Sequence, residues 1–161
     1  MTGNILINIL KNQFLESLIL LEKIIDKCPN DLWNYNKSDF IFWEKIDILF
    51  SGIDIWINDE SIQSLEPFLY KNKSEIKWLK SPIYRTQNDL KIRVSYINKK
   101  VNTFFDHKND DWLSLISKLH NEKTNIEIII FQIRNIMYQI GQCEAILREY
   151  DRNIIKHKFN T

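Results

Sequence analysis

Three amides recur near the C-terminus at helical spacing: Asn135, Gln139 and Gln142. Steps of four and three put them on one side of a helix, in line with Ile128, Phe131 and Ile146. The stripe is therefore apolar at both ends and polar in its middle. Amide oxygens are hard, weak donors, better suited to a calcium-like ion than to zinc or nickel. Amides also bond one another or a polar ligand, and a buried amide left unpaired costs about 1–3 kcal/mol. The pattern alone leaves three readings open: a satisfied interhelical cluster, the floor of a wet pocket, or a solvated face. Other chemistry has less support. Cys28 and Cys143 lack a neighbouring His or Lys to lower a thiol pKa, with Cys28 expected to be the more exposed. His107, His120 and His157 share no spacing that sets two on one helix face. No Ser/His/Asp set is present for nucleophilic catalysis.

Long helices must position those amides. Only 3 Gly and 3 Pro interrupt 161 residues, which favours helices over many short strands. Helix one is expected from about Asn4 to Lys27, with Ile5, Ile9, Phe14, Leu18, Leu21 and Ile25 inward. Cys28-Pro29 ends it, because a residue before proline leaves the α region. Helix two starts near Ser38 or Asp39 and is apolar on two faces, one being Ile41, Ile48 and Ile55. Residues 59 to 86 read as a long crossover with a short helix around Ser61 to Tyr70. Helix three runs from about Gln87 to Phe105. A short piece near Trp112 follows, then helix four from about Thr124 to Tyr150. Its expected core face is Ile126, Ile129, Ile133, Ile136, Met137, Ile140 and Leu147, with the amide stripe roughly opposite. Trp33, Trp56, Trp78 and Trp112 fall near element ends, where aromatics can anchor a partner.

The whole, residues 1–161, reads as a single all-α domain with a tail at 157–161. A net charge of +1 leaves no electrostatic footprint for nucleic acid. The lysines at 71, 73, 77 and 80 read as a solvated cluster. No apolar stretch is long enough to span a membrane, and no signal-peptide pattern is present. A cytoplasmic protein is the expectation.

Several segments resemble the DinB / YfiT-like superfamily. Cys28-Pro29-Asn30-Asp31-Leu32-Trp33, then Phe42-Trp43, then Asp54-Ile55-Trp56-Ile57 are similar to its first half. Arg134-Asn135-Ile136-Met137-Tyr138-Gln139-Ile140-Gly141-Gln142, followed by Leu147-Arg148-Glu149, resembles its "RH-x-x-x-H-x-GQ…LRE" helix. The resemblance implies an up-down-down-up four-helix bundle with a long crossover between helices two and three, and a homodimer. Family members bind nickel, zinc or iron through three histidines, and some are S-transferases using bacillithiol, mycothiol or glutathione. Here those three positions are Ile48, Asn135 and Gln139, so the resemblance implies a degenerate metal site and no cofactor. Trp43, Glu44, Asp47, Arg134, Tyr138 and Gln142 would line the same cleft. Glu44 and Asp47 could join Asn135 and Gln139 around a hard cation, and Asp54 would find a partner such as Arg134.

The leading expectation is a metal-free module that binds a small molecule or a partner in a stress-related role. The alternative is a thiol-dependent, bacillithiol-type S-transferase with a rebuilt or metal-free site, in which Arg134 would stabilise the thiolate.

Overall fold

The computed structural model describes residues 4–37, 40–58, 83–118 and 120–159, of which 36, 37, 40, 58 and 153–159 are described by their backbone alone. The crossover at 59–82, its expected short helix, its lysines and Trp78 lie outside the described residues. The chain is mostly helical. Four long helices make the body: α1 (Ile5–Lys27), α3 (Phe42–Asn58), α4 (Gln87–Asp106) and α6 (Asn125–Phe159). Two short helices, α2 (Asn30–Trp33) and α5 (Asp110–Ser114), sit in the connections. Among the described residues a two-residue antiparallel ladder, β1 (Asn36–Lys37) against β2 (Phe40–Ile41), and an isolated antiparallel bridge between Ile116 and Thr124 depart from helix. The ladder delays the start of α3 to Phe42, beyond the expected Ser38 or Asp39. At the other end α6 continues to Phe159, past the expected stop at Tyr150 and into the expected tail, whose residues 160–161 lie outside the described ones.

Local signals explain the other boundaries. Thr86 and Asp89 form a capping box: the Asp89 N–H donates to the Thr86 hydroxyl oxygen at 3.1 Å, and the Thr86 N–H donates to the Asp89 carboxylate at 2.8 Å. Thr124 opens α6 by donating both its N–H and its hydroxyl to Glu127, each at 2.8 Å. Asn109 caps α5 through the Trp112 N–H.

Each long helix packs on two others: α1 on α4 and α6, and α3 on α4 and α6. Ion pairs fix the directions. Asp47 meets Arg93, and seven residues on Asp54 meets Lys100 at 2.7 Å, so α3 and α4 run parallel. Lys11 meets Asp106 at 2.6 Å while Asp26 meets Lys91, so α1 and α4 run antiparallel. Near the end of α6 the Tyr150 hydroxyl donates to Asp31, just past the end of α1. At the other end the Asp110 carboxylate accepts from the Leu6 and Ile7 N–H groups. α1 and α6 therefore run parallel.

The core is the inner face of all four. Phe14, Leu18 and Leu21 meet Phe42, Phe50 and Ile53, Leu90 and Ile97, and Ile129 and Ile136. Phe14 stacks on Trp56 with centroids 5.5 Å apart. Two inward assignments from the sequence are overturned on α1: Ile5 and Ile9 are exposed, and Ile7 and Leu10 take their place. Met137 on α6 is likewise exposed, and Gln132 is buried. The buried stripe of α6 runs through Gln132, Ile136 and Cys143, between the two expected lines, because α6 is clasped by α1 and α3 at once. Trp33 and Trp56 are core residues, which removes them as surface anchors.

Candidate functional site

The amide helix is held one layer deep by its neighbours. Asp26 pairs with Lys91 across antiparallel helices, which puts Ile24 level with Arg93. Arg93 in turn binds Asp47. Ile24, Arg93 and Asp47 thus share a transverse layer, with Ile48 next to Asp47 in sequence.

Orientation follows from the same pairs. Asp47 and Asp54 mark the shoulder of α3 turned to α4, so Ile48 and Gly52, on the opposite shoulder, face α6. On α6, Asn135 and Gln142 occupy one shoulder of the buried stripe and Ile133 the other. The right-handed turn of α6 beside a parallel α1 directs the amide shoulder to α3. α3 packs on α6, and helical geometry turns Ile48 on the one and Asn135, Gln139 and Gln142 on the other toward that packed side. The amides flank the core face and are half-buried, rather than standing opposite it as the sequence pattern implied.

Within the groove the amides are incompletely paired. The Gln142 side-chain N–H donates to the Tyr138 hydroxyl oxygen at 2.8 Å. The carbonyl oxygens Oε1 of Gln139 and Gln142 are both buried and receive no hydrogen bond. One helical turn apart, they are two buried acceptors without donors. Tyr138 stands at the exposed rim.

The remaining expected lining residues go elsewhere. Trp43 is buried against Tyr84 with ring centroids 5.4 Å apart, on the α4 side of α3. Asp47 is buried and engaged by Arg93, with the Arg85 Nε 3.5 Å away. Arg93 also donates to the Ser51 hydroxyl at 2.8 Å. A carboxylate so held faces two guanidinium groups and is not available to complete an oxygen cage for a cation. Glu44 is half-buried and on the outer side of α3. Asp54 pairs with Lys100 rather than Arg134, and Arg134 is exposed on the outer line of α6. Arg93 and Arg85 went unrecognised in the sequence. Arg93 stands beside the unbroken Leu90, Val94, Ile97 line of a core helix, so spacing alone gave no signal for it.

Ile48 offers no donor atom, and Asn135 and Gln139 offer only amides, so these three residues do not fit a nickel, zinc or iron centre. Among the described residues no group of three His, Cys, Asp or Glu side chains gathers where it could hold a metal. Both cysteines are buried, Cys28 included. Burial pushes each thiol up to about 12, with Asp31 adding to the effect at Cys28 and Cys28 adding to it at Cys143. Such thiols are poor nucleophiles at neutral pH.

A separate open groove of about 490 Å³ lies toward the C-terminal ends of α3 and α4, over Ile57, Tyr96 and Phe104. Two of its three lysines are already engaged: Lys100 with Asp54 and the Tyr96 ring, Lys108 over the rings of Phe104 and Trp112. No described helix is long and apolar enough to cross a membrane. Comparison with known proteins found no matching family profile, no curated protein and no solved structure similar to this chain at a significant level.

Proposed function

We propose that this chain is a divergent DinB / YfiT-like bundle without the family's metal centre, working as a small-molecule-binding module of the cytoplasm. The helix directions support the scaffold: α1 and α6 run one way and the adjacent α3 and α4 the other, an up-down-down-up order. Two buried, free thiols fit a reducing compartment. The observation that carries the binding role is the pair of unpaired acceptors, Gln139 Oε1 and Gln142 Oε1, in the α3–α6 groove. A buried carbonyl without a donor is costly, and a ligand presenting N–H or O–H groups removes that cost. Arg134, which a thiolate-stabilising transferase would need in the groove, is exposed on the outside of α6. The module reading is therefore preferred to S-transfer.

Two measurements test it. Elemental analysis of untagged protein prepared without chelators is expected to show no stoichiometric nickel, zinc or iron, and finding any of them would overturn the metal-free reading. Native mass spectrometry of the purified chain is expected to reveal a bound small molecule that is lost in Gln139→Leu. A mass equal to the bare chain in both would remove the binding role.

A further inference from the structure

The open groove of about 490 Å³ toward the ends of α3 and α4 has the size of a small-ligand site. Its floor is apolar and aromatic, made by Ile57 of α3 and the rings of Tyr96 and Phe104 on α4. Tyr96 is 50% exposed, and Ile57 and Phe104 are half-buried, so ring and aliphatic carbon stay open to an incoming molecule. Its rim is basic, and no carboxylate is among its described lining residues. The acids carried by the same stretch are engaged elsewhere: Asp54 binds Lys100, and Asp106 turns to Lys11 of α1. Two ammonium groups are left over. Lys99 is exposed, and Lys108 rests over the Phe104 and Trp112 rings, 5.1 and 4.9 Å from their centroids. Among the described residues neither forms an ion pair. Lys99 and Phe104 stand about 140° apart around α4. Lys108, carried over Phe104, therefore faces Lys99 from the other edge of the groove, with Tyr96 and Thr103 between them.

We propose that this groove binds a small planar aromatic acid, its rings on Ile57, Tyr96 and Phe104 and its anionic group at the lysine rim. Each half of such a molecule meets its complement. Rings laid on the floor bury apolar area and gain ring-to-ring contact. The acid group meets ammonium groups that have no carboxylate of their own, and Lys108 is already held beside the floor by the ring faces under it. Thr103 donates its hydroxyl to the Lys99 carbonyl at 3.1 Å, so the donors to the acid are the lysines. A cationic ligand is repelled by the rim, and a neutral ring system uses the floor alone. An extended polyanion needs a longer run of cations than two lysines. The site is separate from the α3–α6 groove and does not rest on the reading of its amides.

The probe is 8-anilinonaphthalene-1-sulfonate, an aromatic acid whose fluorescence rises in apolar surroundings, titrated into the full chain. Saturable binding at one site is expected, weakening as salt is added. The same rings without the sulfonate, N-phenyl-1-naphthylamine, should bind at least ~10-fold more weakly. Lys99→Glu combined with Lys108→Glu is expected to raise the dissociation constant of the sulfonate at least ~10-fold and to leave that of the neutral amine unchanged. Thr103→Trp, at an exposed position within the groove, should block both probes. Circular dichroism melting checks that each variant is folded; if Lys108→Glu unfolds the chain, Lys99→Glu and Thr103→Trp, both at exposed positions, carry the test. Gln139→Leu should bind the sulfonate as the parent does. Absence of saturable binding below about 1 mM, equal affinity for the neutral amine, or a charge reversal or blocked groove without effect would each overturn the proposal. So would loss of binding in Gln139→Leu, which would move the dye to the α3–α6 groove.

Discussion

Asp47 shows how a single side chain can be misread as chemistry. By sequence it stands next to a groove position and could complete an oxygen set. In the structure it is buried on the other shoulder of α3, holding Arg93 and facing Arg85. Removing one member of a buried charge pair strands the other, which costs about 3–5 kcal/mol. Asp47→Ala should therefore lower stability by roughly 3 kcal/mol in urea unfolding, and Asp47→Ala with Arg93→Met should cost less than the single change. Gln139 carries the opposite expectation. Its buried Oε1 has no donor, so Gln139→Leu should raise the stability of the ligand-free chain by about 1 kcal/mol; a loss would mean the oxygen is satisfied. The thiols, pushed up to about 12 by burial, should react with a disulfide reagent at pH 8 only as fast as the protein unfolds, and at once in denaturant. The identity of the amide stripe was legible from spacing alone. Its depth was not, because depth depends on which two helices clasp α6, and that is decided by partners far away in the chain.

At the scale of the element, the starts of α4 and α6 are where sequence and structure agree most closely. Thr86 and Thr124, each followed three residues on by an acid, mark the starts of α4 and α6 within a residue of expectation. At Asp89, hydrogen bonds from the Thr86 backbone N–H and then its hydroxyl hold the carboxyl below its ordinary value. The Thr124 backbone and hydroxyl do the same at Glu127. A carboxyl depressed in the folded state stabilises fully above its unfolded pKa and ceases to do so as pH falls through the folded one. The melting temperature should accordingly fall below about pH 4, and Asp89→Asn with Glu127→Gln should flatten that part of the profile. Thr86→Ala should cost about 1 kcal/mol at neutral pH by chemical denaturation. The inward faces were less legible than the caps. Ile5 and Ile9 have core-type side chains at core-type spacing, yet Ile7 and Leu10 are buried in their stead. Periodicity fixes the set of lines along a helix, and only the neighbouring helices choose among them.

For the whole molecule the governing fact is that α3 and α4 are parallel neighbours. Parallel packing obliges the connection between Asn58 and Ile83 to regain the length of a 17-residue helix, about 25 Å at 1.5 Å per residue. Cutting residues 59–82 to four should abolish the monomeric fold, whereas a linker of about 12 residues can reach; circular dichroism with light scattering separates the two. The same topology governs how α1 is finished. The Gln87 side-chain amide donates to the carbonyls of Ile25 and Cys28, at 3.1 and 2.5 Å, and the Trp33 indole donates to the Arg85 carbonyl at 2.7 Å. The last turn of α1 is thus closed by a residue some sixty positions later, the first of α4. Its protection against hydrogen exchange is borrowed. In a nascent chain that has not yet reached Gln87, or in Gln87→Ala, that turn should exchange freely while the middle of α1 in the mutant stays slow. A helix made well before α4 is completed only once α4 has begun.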